Sequence, residues 1–265
     1  MNHRPRKRFG QHFLHDPHVI AKIVAAIAPR PGETVVEIGP GLGALTRPVL
    51  ERLGRLEVVE LDRDVIPHLQ AACAGLGELV VHNVDALRFD FARLAPAARS
   101  LRVCGNLPYN ISTPLIFHLL AQSRAIRDMH FLLQKEVVDR LAAAPGGGDY
   151  GRLSVMVQYH CRAESLFRVA PGAFSPPPKV DSAVVRLTPY EAPPHPADDE
   201  DLFARLVNQA FSQRRKTLRN VMKGLLSAEQ IEAMGIDPTR RPETLSVAEF
   251  VALSNTASGG YTPEP

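Results

Sequence analysis

The chain has 265 residues, of which 45% are hydrophobic and 22% charged, and its formal net charge is +3. This is ordinary globular composition, so a disordered chain is excluded, and the length predicts one large domain plus a small one. Because the net charge is small, contact with a polyanion must rest on local basic clusters. Two such clusters are Arg4, Arg6, Lys7 and Arg8, and Arg214, Arg215, Lys216 and Arg219. For each cluster taken alone, solvated surface charge is an equal alternative.

Cysteine usage and hydropathy restrict the class of protein further. Cys73, Cys104 and Cys161 are odd in number and lack metal-ligand spacing, so we expect no disulfide framework, no metal site and a reducing, cytoplasmic environment. The basic N-terminus is not followed by an apolar run, and no segment approaches the ~20 apolar residues of a membrane span. We therefore predict neither an export signal nor a membrane anchor.

The chain alternates between strand and helix patterns as far as a helix that is predicted to begin at Lys135. Asp16 followed by Pro17 predicts the start of a helix, since Asp caps and Pro is favoured at the first helical position. Strands are predicted over residues 34–38, 56–61, 79–81, 101–104 and 129–133, and helices over 45–53 and 65–73, around 115–120 and from 135 onward. Strand followed by helix, repeated, predicts a parallel sheet wrapped by helices.

The later part of the chain changes character at a proline-rich segment. A mobile glycine loop is predicted at 145–148. After it, a helix over 153–160 and a buried strand over 183–187 are predicted to complete the sheet and its cover. Pro189, Pro193, Pro194 and Pro196 then interrupt regular structure, and the patterns beyond them are helical. We place the domain boundary there, giving domains 1–190 and 191–265.

Three polar or glycine features follow the first three strands, where doubly wound sheets bind ligands. Gly39 and Gly41 lie in a turn where the backbone passes close to a ligand, although a tight turn alone explains glycine equally well. Glu60 ends the second strand and is placed to accept hydrogen bonds from two ribose hydroxyls, the alternative being an exposed strand-end acid. Asp85, after the third strand, is either an acceptor for an adenine amine or a turn residue.

The fourth strand ends in Asn106-Leu107-Pro108-Tyr109, which places an amide, a rigid kink and an aromatic ring at the same edge of the sheet. This is the most specific signal in the chain. An adenine amine is a poor nucleophile because its lone pair is delocalised into the ring. The Asn106 side-chain oxygen and the Leu107 carbonyl can accept its two N–H groups, and Tyr109 offers a face on which a base can stack.

Six motifs together resemble the ribosomal RNA adenine dimethyltransferases over nearly the whole length, and in particular the bacterial small-subunit members. They are Arg8-Phe9-Gly10-Gln11-His12-Phe13-Leu14, Glu37-Ile38-Gly39-Pro40-Gly41-Leu42-Gly43, Glu60-Leu61-Asp62, Asn106-Leu107-Pro108-Tyr109, the segment from Phe174 to Ser182, and the segment from Gln213 to Asn220.

The resemblance implies a Rossmann-like class I methyltransferase sheet with helices on both faces and a small all-helical C-terminal domain. It implies an S-adenosylmethionine site contacted by His12, Leu14, Gly39, Glu60, Asp85 and Asn106, with Phe174 closing on the target base opposite Tyr109. The family often carries Asn where this chain has His12, and backbone contact would survive that change. The implied reaction gives two adjacent dimethyladenosines in the 3′-terminal hairpin of 16S ribosomal RNA, within an assembling 30S particle and by a monomeric enzyme.

Two other functions remain open. A resistance-type methyltransferase acting on large-subunit ribosomal RNA would share the cofactor site, and the Gln213-to-Asn220 run and Leu107 favour the small-subunit enzyme by resemblance. A mainly non-catalytic assembly factor would not need the intact Asn106 motif or Glu60.

The C-terminal basic run is predicted to be a docking surface for RNA. Lys216, Arg219 and Lys223 recur at spacings of three and four, which would place them on one face of a helix. Such a face would bind phosphates of the small subunit through Arg214, Arg215, Lys216 and Arg219.

Overall fold

The computed structural model describes residues 12–213 and 215–259. Within them the chain forms two compact units. The first contains residues up to Val138 together with Arg162–Pro189, and the second contains Asp139–Cys161 and the chain from Tyr190 onward. The N-terminal basic cluster and Arg214 lie outside the described residues.

The first unit is built on a seven-stranded mixed sheet. The strands are β1 (Phe13–Leu14), β2 (Thr34–Ile38), β3 (Arg55–Val59), β4 (Glu78–His82), β5 (Leu101–Asn106), β6 (Ile126–Gln134), β7 (Cys161–Val169), β8 (Phe174–Ser175) and β9 (Ser182–Pro189). Their order in the main sheet is β4-β3-β2-β5-β6-β9-β7, and β1 pairs with β8 in a separate two-stranded sheet. The pairs from β4 to β6 are parallel, whereas β9 is antiparallel to β6. The predicted Rossmann-like fold is confirmed, with an antiparallel addition to its parallel sheet.

The helices are α1 (Pro17–Ile27), α2 (Thr46–Leu53), α3 (Ile66–Cys73), α4 (Ser112–Leu120), α5 (Lys135–Ala142), α6 (Arg152–His160), α7 (Glu200–Ala210), α8 (Leu218–Val221), α9 (Ala228–Ala233) and α10 (Val247–Ser258). The predicted start of α1 is confirmed, because the Asp16 carboxylate accepts the N–H groups of His18 and Val19 at 2.8 and 3.2 Å. These bonds satisfy two donors that a helix N-terminus otherwise leaves unpaired.

Strand β2 is buried along almost its whole length, because the sheet is covered on both faces. Val35 packs in a core cluster with residues of α1, α2 and α3. Val36 and Ile38 are also buried, and successive side chains of a strand point to opposite faces. The continuous apolar run that predicted this strand reflects that double coverage.

Strand β7 was not predicted. It lies at the edge of the sheet, and its residues Arg162, Glu164 and Arg168 carry charge. An edge strand tolerates charged side chains because one side of it faces no neighbouring strand. Its sequence consequently lacks the apolar run by which the central strands were recognised.

Helix α6 has the predicted position but belongs to the second unit, so residues 139–161 differ from the predicted 1–190 domain. The Tyr159 ring lies 4.6 Å from the Phe203 ring, and the Tyr159 hydroxyl donates to Glu200 at 3.0 Å. Tyr150 and Val155 pack in the same core cluster. This aromatic packing, which joins distant parts of the chain, explains the difference.

The predicted basic helix is wrong. Helix α7 ends at Ala210 and α8 covers only Leu218–Val221, so Lys216 precedes α8 and Lys223 follows it. The N–H groups of Leu218 and Arg219 donate to the carbonyls of Arg240 and Pro238 at 2.8 and 3.0 Å. Burial of Leu218 and these long-range bonds replace the local helix that the spacing predicted.

Among residues 12–213 and 215–259, no helix combines the length and the apolar character that crossing a membrane requires.

Candidate active site

The topology creates a crevice beside β2. The chain proceeds outward from β2 through β3 to β4, then returns to place β5 on the other side of β2. At such a reversal the loops after the two central strands diverge, and the carboxyl ends of the strands border a ligand-sized gap. The glycine turn follows β2 here and the Asn106 motif follows β5, so the structure brings the two motifs together.

The glycine turn requires residues without side chains. Gly39 and Gly41 have φ of 67° and 55°, in the left-handed region that glycine adopts at little cost. A Cβ on Gly41 would lie 3.1 Å from the Phe13 ring, and one on Gly39 would lie 3.7 Å from the Asn106 carbonyl oxygen. The turn therefore leaves its backbone open to the crevice and sits between the N-terminal segment and the Asn106 motif.

The Glu60 carboxylate lies at the end of β3 and is 7% exposed. Its Oε1 accepts the Asp62 N–H at 2.8 Å and its Oε2 accepts the Gly41 N–H at 3.3 Å. Burial raises the Glu60 pKa, and these backbone bonds oppose that increase. A carboxylate offers about four lone-pair positions, so acceptor capacity remains for contact with the predicted ribose hydroxyls.

Asp85 and Leu14 both line the same cavity. Asp85 Oδ1 accepts the Leu87 N–H at 3.0 Å and caps a short 3-10 helix, so its turn role is present. Its second oxygen is the acceptor by which it would contact an adenine amine. Leu14 is 6% exposed and pairs with Phe174 between β1 and β8.

The orientation of the Asn106 amide follows from one hydrogen bond. Its Nδ2 donates to the His12 carbonyl oxygen at 3.0 Å. Only the amide nitrogen can donate to a carbonyl, so Oδ1 is left as an acceptor. Oδ1 is the atom predicted to accept a hydrogen bond from the target amine.

Gly105 makes the position of Asn106 possible. A Cβ at Gly105 would lie 2.3 Å from the Ile38 carbonyl oxygen, so no other residue fits between β5 and β2. Leu107 follows with a buried side chain, and its N–H donates to the Leu132 carbonyl at 3.2 Å. These constraints hold the turn at Pro108 against the end of the sheet.

Two contacts fix the Tyr109 side chain, one at its hydroxyl and one on a face of its ring. Its hydroxyl lies 2.7 Å from the Ser182 hydroxyl, and its ring stacks on the His12 imidazole at 5.7 Å between centroids. His12 Nδ1 lies 2.8 Å from the Pro176 carbonyl, so Nδ1 carries the proton. His12 thus occupies one face of Tyr109 with its side chain, which the resemblance did not imply.

Phe174 differs from its predicted position. Its side chain is 2% exposed and packs in the core cluster that contains Leu14 and Val24, whereas its neighbour Ser175 lines the cavity. The pairing of β8 with β1 directs the Phe174 ring into the core. In this arrangement the ring offers no face to a base opposite Tyr109.

Glu37 was not assigned a role by sequence, although it lines the cavity. It is 2% exposed near the end of β2, and its Oε2 has no hydrogen-bond partner among the described residues. Burial raises its pKa to about 8, the Thr46 hydroxyl opposes the shift, and the Glu60 charge adds to it. The signal was available, since an acid inside the run Val35-Val36-Glu37-Ile38 is unusual for a strand buried on both faces.

The cavity that these residues line measures about 1080 Å³. Pockets for one small molecule usually measure about 300–1,000 Å³, so the cavity is large enough for a small-molecule ligand. The described residues contain no cluster of three or more His, Cys, Asp or Glu side chains placed to hold a metal ion.

The basic run lies in the second unit, where Arg215, Lys216 and Arg219 are exposed. Among the described residues, Arg215 and Lys216 have no ion-pair partner. Arg219 lies near Asp237. The pKa of Asp237 is lowered mainly by hydrogen bonds from Thr239 and, to a smaller degree, by the charges of Arg240 and Arg219. The three residues are therefore brought together, in a turn and a short helix rather than on one helix face.

Comparison with known proteins gives consistent matches. The family profile of ribosomal RNA adenine dimethylase matches residues 2–258. Proteins described as ribosomal RNA small subunit methyltransferase A from Pseudomonas aeruginosa and Alcanivorax borkumensis are each 62% identical over 253 residues. Each alignment covers 96% of this chain. It covers 94% of the length of the Pseudomonas aeruginosa protein and 90% of the length of the Alcanivorax borkumensis protein.

Two solved structures share the fold. A dimethyladenosine transferase from Plasmodium falciparum is 26% identical with a TM-score of 0.78, covering 91% of this chain and 96% of its own. The 23S rRNA methyltransferase ErmE is 24% identical with a TM-score of 0.75, covering 93% and 99%.

Proposed function

Because the chain belongs to the ribosomal RNA adenine dimethylase family, we propose that it methylates two adjacent adenosines in the 3′-terminal hairpin of small-subunit ribosomal RNA. The main support is the orientation of the Asn106 amide. Its hydrogen bond to the His12 carbonyl leaves Oδ1 free to accept a hydrogen bond in the crevice beside β2. The two relatives at 62% identity, both described as small-subunit enzymes, support the choice of target.

The chemistry of the site fits S-adenosylmethionine. Glu60 retains acceptor positions for ribose hydroxyls, and the glycine turn exposes backbone without side chains. Asp85 keeps one oxygen for the adenine amine, and Leu14 and His12 border the cavity. When bound, this cofactor would supply a methyl group on a positively charged sulfonium, for which the neutral thioether is a good leaving group.

The protein's own task is then to localise and aim the lone pair of the target amine. Asn106 Oδ1 and the Leu107 carbonyl accept the two N–H groups, so the lone pair is withdrawn from the ring and directed at the methyl carbon. Pro108 fixes the turn, and Tyr109 positions the base through stacking. Catalysis on this scheme comes from proximity and alignment, without a protein nucleophile.

Docking is assigned to the basic run Arg214, Arg215, Lys216 and Arg219. The exposed cations in the described part of that run are suited to phosphates of the small subunit. The particle contacted is an assembling 30S subunit, and we expect the enzyme to act as a monomer in the cytoplasm. Should this run not contact RNA, Arg4, Arg6, Lys7 and Arg8 are the alternative.

The test is labelled-methyl transfer to unmethylated small subunits, followed by mapping of the modified bases. Label on two adjacent adenosines of the small-subunit RNA, absent with Asn106→Ala, is the expected result. Label confined to large-subunit RNA would instead identify the resistance-type activity, and absence of label from a protein that still binds subunits would identify a non-catalytic assembly factor.

A further inference from the structure

The Glu37 carboxyl is a buried acid beside a ligand cavity, and no cation is among the groups that shift its pKa. It lies in β2, is 2% exposed, and borders the cavity beside the glycine turn. Its Oε2 has no hydrogen-bond partner among the described residues. A buried, unpaired carboxylate is costly, so such a group is neutral unless a ligand supplies the missing partner.

The groups around Glu37 do not supply a compensating charge. From β3, the Glu60 carboxylate repels it. From α3 and β5 come the thiols of Cys73 and Cys104, whose pKa values burial and Glu37 itself raise, so both thiols remain protonated. From α2, the Arg47 guanidinium lowers the Cys73 pKa but does not prevent the rise of the Glu37 pKa to about 8.

The methyl donor and the product that remains after transfer differ by one charge on the same sulfur atom. The donor carries a sulfonium cation, whereas the product after methyl transfer carries a neutral thioether. Both ligands share the same amino, carboxylate, ribose and adenine groups. A group in the cavity that responds to a single positive charge can therefore tell the donor from the product.

Resting on the proposed cofactor, we propose that Glu37 distinguishes the cationic methyl donor from the neutral product by changing its protonation. The Glu37 carboxyl gives its proton to solvent when the sulfonium ligand binds. When transfer converts the sulfonium to a thioether, the carboxylate again faces only Glu60 and takes a proton back from solvent. Over a full turnover Glu37 is unchanged, and one proton per methyl leaves from the target amine.

Calorimetry on the full chain tests this, with S-adenosylmethionine and S-adenosylhomocysteine titrated in buffers of different ionisation enthalpy between pH 6 and 8. Near pH 7 the donor is expected to release nearly one proton more than the product. The ratio of donor affinity to product affinity should fall by close to tenfold for each unit that the pH drops below about 8, because donor binding must first remove one proton that product binding leaves in place. Amino groups common to both ligands contribute to each titration and largely cancel in the comparison.

Glu37→Gln and Glu51→Gln form the matched pair of variants. Glu51 also lines the cavity but is exposed, so its replacement should leave the difference in proton release unchanged. Glu37→Gln should remove the difference and make the affinity ratio independent of pH, while product binding shows that the fold is intact.

The outcomes separate the two claims. Equal proton release for donor and product in the parent protein would overturn the role of Glu37, and this measurement decides even when Glu37→Gln does not fold. Failure of the parent protein to bind either ligand would instead overturn the proposed cofactor.

Discussion

The two ends of the central sheet bury charge in opposite ways. At the amino ends of β5 and β6, Arg102 is 5% exposed and its Nε lies 3.0 Å from Asp128. Its guanidinium also lies 2.7 Å from Glu33 and donates to the Ile27 carbonyl at 2.6 Å, which satisfies the end of α1. Although burial raises the pKa of Glu33 and of Asp128, hydrogen bonds and the Arg102 charge lower both overall.

At the carboxyl ends of β2 and β3, Glu37 and Glu60 are buried, and no cation is among the groups that shift their pKa values. Burial is the largest cause of the shift in both, and it raises their pKa values. The same fold thus completes its ion pairs where it needs stability and leaves them incomplete where a ligand binds. Buried acids without an ion-pair partner therefore distinguish the carboxyl end of this sheet, where the ligand cavity lies, from its amino end.

Among the variants, we expect the largest loss of folding stability at the amino ends of the strands, where Arg102 lies. Arg102→Ala takes the buried cation from Asp128, which is buried, and from Glu33, which is partly buried, and leaves them the half-exposed Arg127. Breaking a buried pair in this way costs roughly 3–5 kcal/mol. The measurement is urea unfolding at pH 7, with Arg127→Ala as control. The Arg127 side chain is 47% exposed in its contacts with Glu33 and Asp128, so its loss should cost less than about 1 kcal/mol.

The pH dependence of that loss has a defined sign. Glu33 and Asp128 have lowered pKa values in the folded state, so their contribution is present above the unfolded values of 4.5 and 3.8. It disappears as the pH falls through the folded values. The difference between the parent protein and Arg102→Ala should therefore shrink in acid, and a constant difference would contradict the ionic role.

At the carboxyl edge, Asn106→Ala should reduce the rate and leave the fold almost unchanged. Removing an acceptor that acts on developing charge resembles the loss of one oxyanion-hole donor, about a 100- to 1000-fold effect. Methyl transfer at saturating cofactor measures it. Asn110→Ala is the control, because Asn110 is exposed and lines the same cavity. A rate for Asn106→Ala within tenfold of the parent rate would refute the assigned role.

The comparison also shows what sequence could and could not predict. Local patterns sufficed to predict the central strands and to place the glycine turn and Asn106 at their carboxyl ends, because each position depends on a run of neighbouring residues, whereas the roles of these residues stay predictions. Glu60 was found in the same way, at the end of a recognised strand. The Arg102 network was not found, since Glu33, Arg102 and Asp128 meet only when three strands are aligned.

Tertiary contacts explain the errors as well. The spacing of Lys216, Arg219 and Lys223 predicts a helix, yet long-range bonds to Pro238 and Arg240 shape the backbone at Leu218 and Arg219. The burial of Phe174 depends on the pairing of β8 with β1, which two-residue strands do not reveal in sequence. Both outcomes depend on partners far along the chain.

Glu37→Gln should stabilise the protein, opposite in sign to the changes at the amino edge. The folded pKa of about 8 lies above the ordinary glutamate value of 4.5, so folding without ligand requires Glu37 to hold a proton that the unfolded chain releases. At pH 7 this costs roughly 3 kcal/mol, and the cost vanishes below the unfolded pKa. Urea unfolding from pH 4 to 8 measures the gain. Destabilisation at pH 7, with the neutral variant folded, would show that the Glu37 charge is compensated in the free protein.

Glu60→Ala should weaken cofactor binding while Glu60→Gln weakens it less, because the amide keeps one acceptor. Charge-assisted hydrogen bonds contribute about 1.5–3 kcal/mol each, and the Gly41 N–H also loses its acceptor. Calorimetric titration with S-adenosylmethionine gives the affinities. An unchanged affinity in a folded Glu60→Ala protein would move ribose recognition to another residue and weaken the distinction between the two edges.

We expect the smallest effect for single charges on the surface of the second unit. Arg215 and Lys216 are exposed there and have no ion-pair partner among the described residues, so the rule that unpaired charge marks a binding site can be tested on them. If they await phosphates, Lys216→Gln should flatten the slope of log affinity against log salt by about 1 unit. Replacing Arg214, Arg215, Lys216 and Arg219 together by Gln should flatten it by about 3 to 4 units, with cofactor binding intact. The control is Arg241→Gln, since Arg241 lies 4.0 Å from Glu243 and already has a partner. Binding of small subunits at several salt concentrations measures all three variants. Parental slopes in the fourfold variant would show that this run is solvated surface, and docking would then pass to the N-terminal arginines and lysine.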